Sequence, residues 1–61
     1  MKDFDFSIGN RVKIPDLETN GVVISIWITA KGVKYEVRYF ANSEPKEVYF
    51  YSEELKLIDY L

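Results

Sequence analysis

Val22-Val23-Ile24-Ser25-Ile26-Trp27-Ile28-Thr29-Ala30-Lys31-Gly32-Val33-Lys34-Tyr35-Glu36-Val37-Arg38-Tyr39-Phe40 is the stretch that decides the fold. With Lys31-Gly32 taken as the tip of a hairpin, Ile24, Ile26 and Ile28 fall opposite Tyr39, Val37 and Tyr35. The other face then pairs Val23 with Phe40, Ser25 with Arg38, Trp27 with Glu36 and Thr29 with Lys34. Side chains alternate across a strand with period two, so a slip of one residue would bury the charges and expose the isoleucines. The stretch therefore predicts a long antiparallel ribbon with one apolar and one mixed face.

Working outward, the same alternation continues on both sides. Arg11 to Ile14 reads as a first strand with Val12 and Ile14 inward, ended by Pro15, which has no N–H for a central ladder. Asp16 to Gly21 reads as a polar loop closed by the turn dipeptide Asn20-Gly21, with strand two over Val22 to Thr29. Strand three covers Val33 to Phe40, and a loop from Ala41 to Lys46 leads to strand four, Glu47 to Tyr51. Continuing the ladder sets Phe40, Arg38 and Glu36 opposite Glu47, Tyr49 and Tyr51, with Val48 and Phe50 on the core side opposite Tyr39 and Val37. Ser52 to Leu55 suits one helical turn capped by Ser52, before a short fifth strand at Lys56 to Ile58 that closes against the first. A longer C-terminal helix over Ser52 to Leu61 is the competing reading, and it is short for a stable helix.

These residues resemble the small SH3-like barrels of the Tudor, KOW and CarD-like type. The resemblance rests on Phe6-x-Ile8-Gly9-Asn10-x-Val12, Asn20-Gly21-Val22-Val23, Tyr35-x-Val37-x-Tyr39 and the closing Glu53-Glu54-Leu55, and runs from Phe6 to Ile58. Asn10 stands where those families usually carry an acid. The expectation is an all-β domain over residues 1–61, with its core in 6–58: a five-stranded SH3-like barrel with a short helical turn before the last strand.

Composition bounds the function. The chain has 61 residues, which leaves room for one core only, and a domain of this size buries roughly 60% of its unfolded surface. With no His and no Cys, the commonest general base, metal ligand and thiol nucleophile are missing. Ser7, Ser25, Ser43 and Ser52 have no imidazole to activate them, and Asp16/Glu18 and Glu53-Glu54 read as solvated surface acids. Catalysis is therefore not expected. The isolated glycines Gly9, Gly21 and Gly32 form no phosphate-cradling loop, and no run of acids supplies the six or more oxygens that Ca²⁺ needs, so no cofactor and no metal are expected.

The start of the chain lacks the basic and apolar regions of a signal peptide, and Val22 to Ile28 is too short to span a bilayer. A cytoplasmic protein without membrane contact is the expectation. Net charge is −2, with eight basic residues scattered among ten acidic ones, which disfavours nucleic acid as a partner.

The outer face carries the candidate site. Trp27, Arg38, Phe40, Tyr49 and Tyr51 share it in the expected register, with Arg38 between Ser25 and Tyr49. Exposed aromatics around an arginine have the composition of a protein-binding hot spot. The competing structural reading makes Trp27 part of a second core layer, covered by Phe4, Phe6 or Tyr60. The Tudor resemblance implies an aromatic cage for a methylated cation, yet the loop from Asp16 to Gly21 has no aromatic residue to complete one. The KOW resemblance implies RNA stacked on this face, with Arg11, Lys13, Lys34 and Arg38 on phosphates. The CarD-like resemblance implies docking on a larger protein. The expected function is a non-catalytic protein-interaction module, an accessory or regulatory protein of a bacterium or phage. RNA or DNA binding, and self-association through the same face or an edge strand, are the alternatives.

Overall fold

The computed structural model describes residues 4–58. They form strands β1 (Arg11–Ile14), β2 (Thr19–Thr29), β3 (Gly32–Ala41), β4 (Glu44–Tyr51) and β5 (Lys56–Leu57). Single 3₁₀ turns at Pro15–Leu17 and Ser52–Glu54 precede β2 and β5. All pairings are antiparallel, in one open sheet of order β4-β3-β2-β1-β5. The expected all-β, five-stranded architecture is present, and within the described residues Ser52–Glu54 makes one turn followed by β5 rather than starting a long helix.

The core is the inward face of that sheet. Val12, Ile14, Val23 and Val37 are 0% exposed and Tyr35 only 1%, with Phe6, Phe50 and Leu55 buried beside them. One sheet can seal side chains so fully only by curling over them, and Phe6 and Leu55 pack into the same cluster from outside the strands. Phe6 meets Tyr35 edge-on at 5.1 Å, a favoured aromatic geometry, and the Tyr35 hydroxyl accepts the Asp5 N–H at 3.0 Å. No buried side-chain polar atom of the described residues lacks a partner.

The curl is built into β2. Its ladder with β3 shifts between Val23 and Ser25, where Val23 faces Val37 and Ser25 faces Glu36. Ile24 is the extra residue of a β-bulge, which bends a strand and increases its twist. The bulge also changes phase. Val23, expected opposite Phe40 on the outer face, is fully buried, whereas Val22 points outward opposite Arg38.

Three expected turns are corrected. The β2–β3 tip is Ala30-Lys31, because Thr29 pairs with Gly32. The Thr29 hydroxyl organises it, accepting the Lys31 N–H and donating to the Gly32 carbonyl. Gly32 follows the tip at φ +134°, which explains why it read as part of the turn. Near this end the pairs are two residues from expectation (Ile26 with Tyr35, Ile28 with Val33), an even slip that keeps each residue on its expected face. Even so, Ile28 lies so far along the hairpin that it is 73% exposed.

Asn20-Gly21 is not a turn either. Both lie inside β2, and the chain reverses earlier, through Pro15–Leu17 and a left-handed Glu18. Finally, β3 and β4 meet in a tight hairpin at Asn42-Ser43, so β4 begins at Glu44 instead of Glu47. Asn42 and Ser43 have φ of +53° and +65°, the signature of the type I′ turn that suits the right-handed twist of a hairpin. Glycine adopts this conformation more readily than serine. Ser43→Gly is accordingly expected to stabilise the domain by about 0.5–1 kcal/mol, read as a higher urea midpoint at unchanged slope.

Ser52 does not cap its turn. Its hydroxyl donates to the Asp5 carboxylate, and the Glu54 carboxylate accepts the Tyr51 N–H at 2.7 Å. At the other end, the Asn10 side chain accepts the Ser7 N–H, so an amide oxygen fills the role open to an acid at this position. Backbone bonds from Gly9 N–H to the Val23 carbonyl and from Val23 N–H to the Asn10 carbonyl then tie this loop to the bulge. No helix of the described residues is long and apolar enough to cross a membrane.

Candidate functional site

The outer face reads as rows across β2, β3 and β4. Trp27, Lys34 and Tyr51 form one row, and Ser25, Glu36 and Tyr49 the next. Val22, Arg38 and Glu47 form the third, with Arg11 of β1 beside Val22, and Phe40 lies opposite Pro45 beyond it. Glu36, not Arg38, therefore stands between Ser25 and Tyr49. Arg38 is one row farther from the aromatics than expected, because the β3–β4 ladder is also two residues from expectation and sets Arg38 opposite Glu47.

Trp27 and Tyr49 are neighbours on the diagonal between rows, where large side chains reach each other across an intervening strand. Their rings meet at 79° with centroids 5.7 Å apart. Polar bonds fix the tryptophan. Its indole N–H donates to the Ser25 hydroxyl at 2.8 Å, and that hydroxyl donates to the Glu36 carboxylate at 2.7 Å. A carboxylate only accepts, so the order of donors along this relay is determined. Lys34 places its ammonium 5.2 Å from the centre of the Tyr51 ring, within cation–π range.

These aromatics are open to solvent. Trp27 is 51% exposed, Tyr49 42% and Phe40 63%, while Tyr51 is half-buried. A second core layer over Trp27 is thus not formed by Phe6, which is in the main core; Tyr60 lies outside the described residues. The five expected site residues do share one face. The structure joins Trp27 and Tyr49 directly, sets Tyr51 in the Trp27 row, and places Arg38 and Phe40 toward the opposite end.

There, Arg11, Asn20, Val22, Arg38 and Phe40 line a shallow groove of 220 Å³. Val22, Ser25 and Glu36 are the face residues to which sequence reasoning gave no binding role. Ser25 and Glu36 were legible only as polar outward positions, and Val22 was hidden by the bulge. Among the described residues, the Trp27–Tyr49 pair supplies two rings at 79°, fewer walls than a cage for a methylated cation needs.

Comparison with protein-family models, curated proteins and solved structures finds no match.

Proposed function

We propose that this chain is a small SH3-like barrel of the Tudor/KOW/CarD-like type and acts as a non-catalytic protein-interaction module. The strand order β4-β3-β2-β1-β5, with a 3₁₀ turn before a short last strand, supports the barrel reading. The observation that carries the functional reading is the half-exposed Trp27–Tyr49 pair, held in place by the Ser25–Glu36 relay. Aromatic anchors that are already ordered lose little conformational entropy on binding, which is why Trp and Tyr dominate hot spots. Phe40 and Val22 extend the apolar area, and Arg38, Lys34 and Glu36 provide polar contacts around it. The partner class is a folded protein offering an apolar patch with mixed charge at its rim. In this reading the domain serves a larger machine as an accessory, docking on it or blocking it.

The test is a pull-down from source-cell lysate with and without nuclease, comparing wild type with Trp27→Ala/Tyr49→Ala. Because Trp27 is half in solvent, Trp27→Ala is expected to lower stability by only about 0.5–1.5 kcal/mol in a urea melt. A partner retained after nuclease and at about 0.5 M salt, and lost in the folded variant, is the expected result. Recovery that vanishes with nuclease would overturn the reading in favour of RNA or DNA on the same face.

A further inference from the structure

Among the described residues no strand pairs with the outer edge of β4, and that edge has a pattern of backbone donors that matches itself. In an antiparallel ladder, alternate residues turn their N–H and C=O groups toward one neighbouring strand or the other. Counting from the Asn42-Ser43 hairpin, Ala41 and Glu44 bond each other, so Lys46, Val48 and Phe50 bond β3. The N–H positions of residues 45, 47, 49 and 51 then face away from the sheet. The Tyr51 bond to Glu54 has the same phase, since that N–H is free of the β3 ladder. Pro45 has no N–H, and the Tyr51 N–H is occupied. The outward donors are left at Glu47 and Tyr49 alone, between two blocked positions.

We infer that this edge pairs with the same edge of a second copy, antiparallel, about a two-fold axis at Val48. In that register Glu47 lies opposite the second copy's Tyr49 and Tyr49 opposite its Glu47. Each pair exchanges two backbone bonds, giving four in all. Outside them, each Pro45 meets a Tyr51, so neither blocked position faces an open donor. The neighbouring registers are worse. One sets Glu47 against Glu47, a like-charge pair in direct opposition, and the other wastes donors against the occupied Tyr51.

Side chains agree with the same register. Val48 is 39% exposed at the edge and meets its own copy at the axis. Tyr51 stacks against Pro45, joining the Trp27–Lys34–Tyr51 row of one copy to the Phe40–Pro45 row of the other. Arg38 stands opposite Glu47 within each chain and offsets the two carboxylates near the axis. Edge strands commonly carry devices that prevent such pairing, and here the devices bracket a short window instead of removing it. The partner is a second copy because a blocked–open–open–blocked pattern is its own complement.

Sedimentation and amide exchange test this. An interface this short lies below the standard size, so association is expected between about 10 µM and 1 mM. Mass should rise across that range from 7.2 kDa toward twice that value. Exchange protection should rise with concentration at the Glu47 and Tyr49 amides. Glu47→Pro removes one outward donor and no β3 bond, and is expected to stay a folded monomer at about 1 mM. Should that variant not fold, Val48→Lys, which sets two ammonium groups across the axis, gives the same reading. A wild type that remains monomeric at about 1 mM overturns the proposal. So does a dimer that survives in the folded edge variants but dissociates in Trp27→Ala, which would assign self-association to the aromatic face. Loss of the edge dimer leaves capture of a foreign partner by Trp27 and Tyr49 intact, so the two readings fail separately.

Discussion

Tyr35→Ala is expected to leave no cooperative unfolding transition at 25 °C. Tyr35 is the largest fully buried side chain, with Ile26 and Phe50 as its partners on the neighbouring strands and Phe6 against its ring. Truncating a buried aromatic to alanine costs about 3–5 kcal/mol, because transfer energy and a residual cavity add. A domain of this length has a total stability of roughly 3–9 kcal/mol at 0.05–0.15 kcal/mol per residue. The loss therefore removes a large share of what holds the fold, and all of it toward the lower end of that range. Tyr35→Phe separates packing from hydrogen bonding. It keeps the ring and gives up the bond from the Asp5 N–H, which is worth about 0.5–1.5 kcal/mol. Circular dichroism and urea melts of the two variants check both statements, and an alanine variant with the wild-type midpoint would refute them.

Gly21→Ala is the second large effect, in the opposite direction to the usual result. At an unstrained, roomy position this exchange stabilises by about 0.4–1 kcal/mol through the unfolded chain. Here an added Cβ would lie 2.5 Å from Val37 Cγ1, 2.7 Å from the Arg38 carbonyl oxygen and 3.2 Å from Tyr39 Cβ. Val37 is fully buried and cannot swing away, and the carbonyl belongs to the central strand. Relief requires β2 and β3 to part at the Gly21–Tyr39 pair, close to the bulge. A loss of about 2–3 kcal/mol is expected, at the upper end of ordinary overpacking. The measurement is the thermal midpoint, expected to fall by well over ~4 °C per kcal/mol in so small a domain. A midpoint at or above wild type would mean that the strands part freely there.

Much of this architecture was readable from alternation alone. The two central hairpins and the closure of β5 on β1 needed only period-two patterning and the stops at Pro15 and Glu53-Glu54. The inward placement of Val12, Ile14, Tyr35, Val37 and Phe50 follows from the same rule. Trp27, Tyr49 and Tyr51 were placed on the outer face for a related reason: an even slip in register does not change parity. Their neighbours were not legible, since the slip exchanges Arg38 for Glu36 beside Tyr49. Glycine misled twice. Gly32 suggested a tip one residue late, and Asn20-Gly21 imitated a turn where a strand needed a residue without a side chain. Pro45 likewise read as a loop residue, although an edge strand tolerates proline wherever the N–H would face outward. The bulge was invisible because Val22, Val23 and Ile24 are all apolar and β-branched, so no polar residue marks the change of phase. That the three expected turns failed while the faces held everywhere except at Val22 and Val23, beside the bulge, reflects where the energy lies. Faces are fixed by burial, whereas turn positions are fixed by backbone fit.

The bulge at Ile24 has a consequence for how this family of shapes can vary. Val23 pairs with Val37 and Ser25 with Glu36, which are consecutive on β3. A chain lacking residue 24 would therefore keep every cross-strand partnership, every buried side chain on its side, and the aromatic pair on the other. What it would lose is the bend. Curvature and pairing are thus encoded by separate residues, and one codon could convert a curled sheet into a flatter one with the same ladder. Insertions and deletions are usually thought of as tolerable in loops; in this chain the position where length could change without scrambling contacts lies in the middle of its longest strand.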